Sequence, residues 1–183
     1  KEEKNMEYLL TTNGLTKQYG RHKAVNAADI HVKRGDIYGL IGRNGAGKTT
    51  LLKMISGLAK PTDGGFSFFG KSGKEVYGYM SRIGALIEAP GLYPNLSAAQ
   101  NLKLKCLAAG VRRNGIIEEL LGTVGLASAG KKKVRNFSLG MKQRLGIALA
   151  LVGDPDLIIL DEPINGLDPQ GIAEVRETLA RLN

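Results

Sequence analysis

A glycine-rich segment that ends in a lysine is the part of this chain best equipped for chemistry. Residues 42–50 read Gly-Arg-Asn-Gly-Ala-Gly-Lys-Thr-Thr, which matches every fixed position of the pattern G-x-x-x-x-G-K-[ST]. The glycines let successive backbone N–H groups turn inward around phosphate oxygens, where a Cβ would block the approach. The lysine adds a mobile cation for the β- and γ-phosphates, and the next hydroxyl is placed to hold Mg²⁺. We predict that a nucleoside triphosphate binds to Gly42, Asn44, Gly45, Ala46, Gly47, Lys48, Thr49 and Thr50.

The sequence around this loop predicts the elements that hold it. The apolar run at residues 37–41 predicts a strand that enters the loop. Residues 50–57 predict a helix, whose positive N-terminus would face the same phosphates.

A pair of acidic residues follows a second apolar run. Leu157–Leu160 is continuously apolar, as in a central strand that is buried on both faces, and Asp161 and Glu162 come directly after it. Open α/β sheets bind ligands beyond the carboxyl ends of their strands, so we expect the acids and the loop to meet in one crevice. There Asp161 would hold Mg²⁺, and Glu162 would orient and deprotonate the attacking water as a general base.

The remaining patterns place these motifs in one α/β domain covering residues 1–183. Short strand-like runs at 8–12 and 24–32 predict a small N-terminal antiparallel β-layer, and further strands are predicted at 66–69 and 82–87. The hydrophobic pattern then becomes helical, and helices are predicted at 101–109 and 116–124. We expect a P-loop NTPase fold with a RecA-like parallel-sheet core. Its parts are the nucleotide-binding core with the β-layer (6–88), an inserted α-helical lobe (89–137) and a last segment with the acidic strand (138–183).

Residues 137–143, Phe-Ser-Leu-Gly-Met-Lys-Gln, precede an amphipathic helix that Ser138 is suited to cap. Capping alone accounts for this serine, but the segment also resembles the Leu-Ser-Gly-Gly-Gln motif of the ATP-binding cassette of ABC proteins. Leu139 and Met141 depart from the commonest form of that motif. The resemblance covers essentially the whole chain. It implies that two cassettes pack head to tail, with Ser138 and Gly140 facing the γ-phosphate that the other subunit holds.

The same resemblance assigns roles to other residues. Tyr19 stands where an aromatic ring stacks on adenine, and Asp168 resembles an aspartate that communicates across the dimer, although it would also cap a helix beginning at Pro169. Glu88 stands where the family usually has a glutamine that touches Mg²⁺, and a carboxylate ligates this ion at least as well as an amide. Gln100 is the second choice for that role, because it falls inside the following helix.

The resemblance therefore implies an ATPase subunit that uses ATP and Mg²⁺ and forms an ATP-dependent dimer with a second ABC subunit. It would drive a separate transmembrane permease from the cytoplasmic face of the cell membrane. Glu88 and the form of the signature segment are similar to the branch that exports, or protects against, bacitracin and lantibiotics. Two alternatives stay open: a soluble ABC ATPase acting on DNA or ribosomes, and a nucleotide-gated subunit that does not hydrolyse ATP.

One family feature has no counterpart in this sequence. The family places a histidine that contacts the γ-phosphate on a strand after the helix at residues 170–182, whereas this chain stops at Asn183. His22 and His31 lie far upstream, where we expect them to be surface or strand residues. We expect a C-terminally shortened cassette that binds nucleotide poorly or hydrolyses it negligibly.

Charge and composition indicate which partners to expect. The net charge of +9 is densest at Arg112-Arg113 and in residues 131–135. Neither cluster has the interleaved aromatic residues of a base-stacking surface, so we expect no nucleic-acid partner and instead a solvated, membrane-proximal basic face. The lone Cys106 lies in an apolar helical pattern that predicts core packing.

Two further expectations concern the ends and the apolar runs of the chain. Residues 1–5 lack the apolar core of a secretion signal, and Met6 would serve as a native start. No apolar run in the sequence approaches the roughly 20 residues that span a bilayer.

Overall fold

The computed structural model describes residues 8–182, so the expected start at Met6 lies outside the described residues. The chain divides into two compact units, one reaching to Met80 and the other beginning at Ser81. Within the described range, no helix combines the length and the apolar character that crossing a membrane requires.

The first unit is built on an antiparallel sheet. Its strands are β1 (Tyr8–Tyr19), β2 (His22–Ala28), β3 (His31–Lys33), β4 (Asp63–Phe68) and β5 (Lys71–Ser72). Their order is β2-β1-β4-β5, and β3 pairs with β1 beside them. The helix α1 (Lys48–Ile55) lies between β3 and β4 in sequence. A 3₁₀ helix, Gly73–Arg82, begins in the first unit and ends two residues past its boundary. The predicted N-terminal antiparallel β-layer is thus confirmed.

The core of this unit is drawn from the sheet and from the apolar face of α1. On α1 the buried side chains are Leu51, Met54 and Ile55, at the spacing expected of one helix face. The predicted strand at residues 24–32 is split in two, because the buried Thr12 hydroxyl donates to Ala28 O and accepts from Ile30 N, both at 2.8 Å. The buried apolar residues are Leu9, Leu10, Leu15, Val25, Ile30, Val32, Leu51, Met54, Ile55, Phe68 and Val76.

The predicted strand at residues 37–41 is wrong. This segment is irregular and pairs with no strand among residues 8–182. Its apolar side chains face solvent, since Ile37 is 76%, Tyr38 51% and Ile41 96% exposed. A strand needs a neighbour to satisfy its backbone hydrogen bonds, and an apolar sequence alone cannot supply one.

The second unit contains a parallel strand pair and four helices. The strands are β6 (Ile83–Leu86) and β7 (Leu157–Leu160), and the helices are α2 (Ala98–Ala108), α3 (Ile116–Thr123), α4 (Leu139–Ala150) and α5 (Pro169–Leu182). Short 3₁₀ turns occupy Ala127–Ala129 and Val134–Asn136. The helices share one core with β6, made of Leu86, Ala98, Leu102, Cys106, Ile116, Leu120, Leu121, Val124, Leu126, Val134, Phe137, Leu145, Ile147, Ala148, Val152 and Val175. The expected core position of Cys106 is confirmed.

Local chemistry explains where these elements begin and how closely they pack. Helix α2 starts earlier than predicted because Ser97 and Gln100 form a reciprocal capping box. Gln100 therefore lies inside the helix, as expected. On β6, a Cβ at Gly84 would lie 2.0 Å from the carbonyl oxygen of Ala150, so glycine is what lets α4 approach the strand.

Candidate functional site

The lysine of the glycine-rich loop is folded back over the loop. Lys48 Nζ donates to Gly42 O at 2.9 Å and to Arg43 O at 3.3 Å. The loop is closed by Ala46 N, which donates to Arg43 O at 3.1 Å. The ammonium group is therefore held at the rim of a compact backbone turn, which is the arrangement that a phosphate-binding loop needs.

The last glycine of the loop packs against strand β2. Gly47 has φ +89°, and a Cβ built on it would lie 2.0 Å from Ala24 O. Gly45 has a similar φ of +82°, but a Cβ there would meet nothing within 4 Å. Loop and strand together border a cavity of about 370 Å³, lined by Lys23, Ala24, Val25, Asn26, Ala28, Leu40, Ile41, Ala46, Gly47, Lys48 and Leu51.

The start of α1 favours an anion. Gly47 provides no side-chain cap, and the first turn contains no acidic residue. The first turn therefore places no negative side chain at the positive end of the helix, where the Lys48 cation lies. Thr49 and Thr50 lie in the same turn, while Asn44 is exposed at the tip of the loop. These residues fit a phosphate group with its Mg²⁺.

Tyr19 lies at the exposed end of β1 and does not line the 370 Å³ cavity. Lys17 Nζ lies 5.1 Å from the centroid of its ring. The adenine-stacking role of Tyr19 stays a prediction.

In the second unit, the predicted acidic residues follow two paired strands, just beyond the ends of the two strands. Leu86 of β6 is in register with Leu160 of β7, and Asp161 N donates to Leu86 O at 2.9 Å. Beyond them, Glu88 and Glu162 both adopt left-handed backbone conformations, with φ of +62° and +46°. Such conformations cost about 1 kcal/mol or more each for residues with side chains and cluster at functional sites. The paired strands thus present the carboxylates at one edge, and the meeting of these acids with the glycine-rich loop stays a prediction.

The surroundings of these acids differ. Asp161 is buried, whereas Glu88 and Glu162 are exposed. Glu162 Oε2 accepts a hydrogen bond from Asn165 Nδ2 at 3.0 Å. Across residues 8–182, no three histidine, cysteine or acidic side chains lie close enough together to hold a metal ion. Mg²⁺ binds through one or two carboxylates together with substrate phosphates and water, and its place here stays a prediction.

The N-termini of α4 and α5 meet in the second unit. Ser138 Oγ accepts from Met141 N at 3.2 Å, and Asp168 Oδ1 accepts from Gly171 N at 2.9 Å, so both predicted caps are confirmed. A Cβ on Gly140 would be 3.8 Å from Gly171 Cα, an ordinary contact distance. Both ends border a cavity of about 460 Å³, lined by Ser138, Leu139, Gly140, Met141, Arg144, Gly166, Leu167, Asp168, Gln170, Gly171 and Glu174. Three of the predicted site residues therefore share one surface.

The motif reading missed Arg144, which joins three helices beneath this cavity. Its Nη1 donates to Val124 O and Gly125 O, both at 3.1 Å, at the end of α3. Its Nη2 pairs with Glu174 Oε2 on α5 at 3.0 Å, and only 13% of the arginine side chain is exposed. The available signal was the spacing of Arg144, three residues after Met141 and three before Ile147, which places it toward the apolar face of α4, where a buried cation requires partners.

Asn101 was missed for a similar reason, since it is a polar residue on the buried face of α2, beside Leu102. Its Oδ1 accepts from Tyr93 N at 2.8 Å, and its Nδ2 donates to Tyr93 O at 3.2 Å and to Ser97 O at 2.9 Å. One side chain thereby fixes the segment that follows Glu88.

Comparison with known proteins agrees with this geometry. The family model described as ABC transporter matches residues 25–165. The chain belongs to the ABC transporter family. It is 51% identical over 180 residues to the bacitracin transport ATP-binding protein BcrA of Enterococcus faecalis, covering 97% of this chain and 58% of that protein. It is 45% identical over 171 residues to the lantibiotic transport ATP-binding protein SrtF of Streptococcus pyogenes, covering 93% of this chain and 73% of that protein.

Solved structures of the family show the same fold. The cbiO1 protein from Clostridium perfringens, part of the ABC transporter complex cbiONQ, matches with a TM-score of 0.83 at 28% identity, covering 96% of this chain and 74% of that chain. The α/β P-loop NTPase fold and the resemblance to bacitracin and lantibiotic transport proteins are confirmed. This chain spans a little over half the length of BcrA.

Proposed function

We propose that this chain is the ATP-binding and ATP-hydrolysing subunit of an ABC transporter that exports, or protects against, peptide antibiotics. The observation that carries the proposal is the folded glycine-rich loop, in which Lys48 spans the carbonyls of Gly42 and Arg43 and Gly47 packs against β2. The bacitracin and lantibiotic transport names of the relatives support the class of substrate.

Each site residue has a role in this proposal. Lys48 and the loop amides bind the phosphates, and Tyr19 stacks on the adenine. Thr49, Glu88 and Asp161 hold Mg²⁺, which supplies charge neutralisation on the phosphate oxygens. Glu162 accepts a proton from the attacking water.

The proposal includes two partners. A second ABC subunit binds head to tail, with Ser138, Gly140 and Asp168 facing the nucleotide that it holds. Support comes from the exposure of Ser138 at the start of α4, where the helix dipole favours an anion. A transmembrane permease is the other partner, and the subunit attaches to it at the cytoplasmic face of the cell membrane.

A fluorescent ATP analogue tests nucleotide binding by the chain itself. We expect saturable, Mg²⁺-dependent binding that Lys48→Ala weakens by a factor of about 10² or more, because the variant loses the cation at the phosphates. Lys74→Ala is the matched control, since Lys74 is an exposed lysine away from the loop. Equal binding by both variants would contradict the assignment of the loop.

Phosphate release tests hydrolysis, and it is measured on the full-length protein with its membrane partner. We expect Glu162→Gln to lower turnover by a factor on the order of 10² to 10⁴ while ATP binding persists. Glu177→Gln, on the exposed face of α5, should leave turnover unchanged. Absence of phosphate release from the unmodified complex would favour a nucleotide-gated subunit, and ribosome co-sedimentation in place of membrane recovery would favour a soluble ATPase.

A further inference from the structure

The loop between α3 and α4 presents a group of cations that nothing in the described part of the chain neutralises. This basic loop comprises residues 131–135. Its charged side chains are all exposed, and none has a hydrogen-bond or ion-pair partner within residues 8–182. Elsewhere in the same unit, Arg113 pairs with Glu119 at 2.9 Å. The unpaired cations of the basic loop are Lys131, Lys132, Lys133 and Arg135.

The backbone of the basic loop is firmly anchored. Val134, between Lys133 and Arg135, is 1% exposed, and its N–H donates to Leu96 O at 3.0 Å. Arg135 N donates to Pro94 O at 2.8 Å, and Lys133 forms a β-bridge with Ser97. The cations are therefore displayed from a fixed turn, so binding through them requires little ordering of the chain.

An exposed aromatic ring accompanies these cations. Tyr93 is 59% exposed and directly precedes Pro94, the residue that accepts from the backbone of Arg135. Both backbone groups of Tyr93 are held by the buried side chain of Asn101. Tyrosine suits the boundary between water and lipid, because its ring is apolar and its hydroxyl is polar.

We propose that the basic loop and Tyr93 form a docking surface for anionic phospholipid headgroups. Lysine predominates, and lysine is a point charge suited to a diffuse negative surface rather than to bidentate recognition. A single ring gives no stacking platform for successive bases, which disfavours nucleic acid. This inference rests on the proposed attachment to the membrane and adds direct contact with lipid. The contact would fix which side of the subunit faces the bilayer.

Vesicle co-sedimentation tests the proposal with the full chain in the absence of nucleotide. One set of vesicles is pure phosphatidylcholine, and the other contains roughly one-third phosphatidylserine. At such a negative surface, each nearby cation strengthens partitioning onto the vesicle by a factor of about five. The test variant is Lys131→Gln/Lys132→Gln/Lys133→Gln. The control, Lys74→Gln/Arg176→Gln/Arg181→Gln, removes the same charge from exposed residues elsewhere in the chain.

We expect binding to the anionic vesicles only, falling steeply with added salt. The loop variant should lose about 100-fold in partitioning, from three factors of about five, and the control should stay within about twofold of the unmodified chain. Tyr93→Ser should weaken binding by a smaller factor. Because the loop lysines have no partners, circular dichroism should show an unchanged fold for the loop variant.

Three outcomes would overturn the proposal. In the first, the loop variant binds the anionic vesicles as well as the unmodified chain does. In the second, the control loses as much vesicle binding as the loop variant, which would assign binding to net charge. A labelled single-stranded oligonucleotide that binds more tightly than the vesicles at equal salt, and is lost in the loop variant, would assign the surface to nucleic acid. Titration of the same variants with the fluorescent ATP analogue reports separately on the proposed nucleotide function.

Discussion

Substitution of Gly47 by alanine gives the sharpest test of how the phosphate-binding loop is held. Two effects add at this position. A side chain at φ +89° is strained by about 1 kcal/mol. The new Cβ would also lie 2.0 Å from Ala24 O, and since a strand carbonyl is not a flexible side-chain end, backbone must move, at about 2 kcal/mol. We expect Gly47→Ala to lower the free energy of unfolding by about 3 kcal/mol.

Gly45→Ala is the matched control. Gly45 has nearly the same φ, +82°, but a Cβ there meets nothing within 4 Å, so only the strain of about 1 kcal/mol applies. With a urea dependence of about 2 kcal/mol per molar, the unfolding midpoint should fall by about 1.5 M for Gly47→Ala and about 0.5 M for the control.

Urea unfolding followed by circular dichroism measures both variants without nucleotide. Hydrogen exchange of the Leu51 amide, which donates to Gly47 O at 2.9 Å, reports the same region locally. Equal midpoints for the two variants would show that the contact with Ala24 does not restrain the loop, and the packing explanation would be wrong.

Three further predictions concern the second unit. Arg144→Met should lower the free energy of unfolding by about 2 to 3 kcal/mol, because it removes the charge-assisted hydrogen bonds to the end of α3 and the ion pair with Glu174. Chemical denaturation measures this loss, and Arg144→Lys should restore only part of the lost stability. Asn101→Leu should cost about 2 kcal/mol and accelerate hydrogen exchange of the Tyr93 amide, whose acceptor it removes; unchanged exchange would contradict this. Burial raises the pKa of the Cys106 thiol, so its contribution to stability is present below the ordinary thiol pKa and is lost as the pH rises through the raised value. The stability difference between the unmodified chain and Cys106→Ala should therefore narrow in alkaline solution, and a difference independent of pH would refute the assignment.

Much of the candidate site follows from local sequence rules. The caps at Ser138 and Asp168 and the strand Leu157–Leu160 are where the residue types predict them, because a cap and a buried apolar strand depend on a few neighbouring residues. Glu88 and Glu162 each follow a predicted strand, but their equal level depends on the register of β6 with β7, which only the structure supplies.

The failures have a different physical origin. Residues 37–41 have the composition of a buried strand, but a ladder requires a partner that local sequence does not reveal. The roles of Arg144 and Asn101 depend on carbonyls and side chains that tertiary packing brings within reach, at sequence separations that no motif records. Long-range hydrogen bonding is therefore the part of this site that sequence patterns could not supply.

The uncovered segment at residues 37–41 also affects how the protein behaves at high concentration. It contains the β-prone residues Ile37, Tyr38 and Ile41 around Gly39, has no proline or charge, and pairs with no strand among the described residues. Such a run invites edge-to-edge association between copies, the route by which exposed strands seed aggregates. The tendency of the protein to aggregate should therefore depend on Ile37 and Ile41. Because Ile41 is 96% exposed, Ile41→Lys should reduce precipitation by placing a charge in the run.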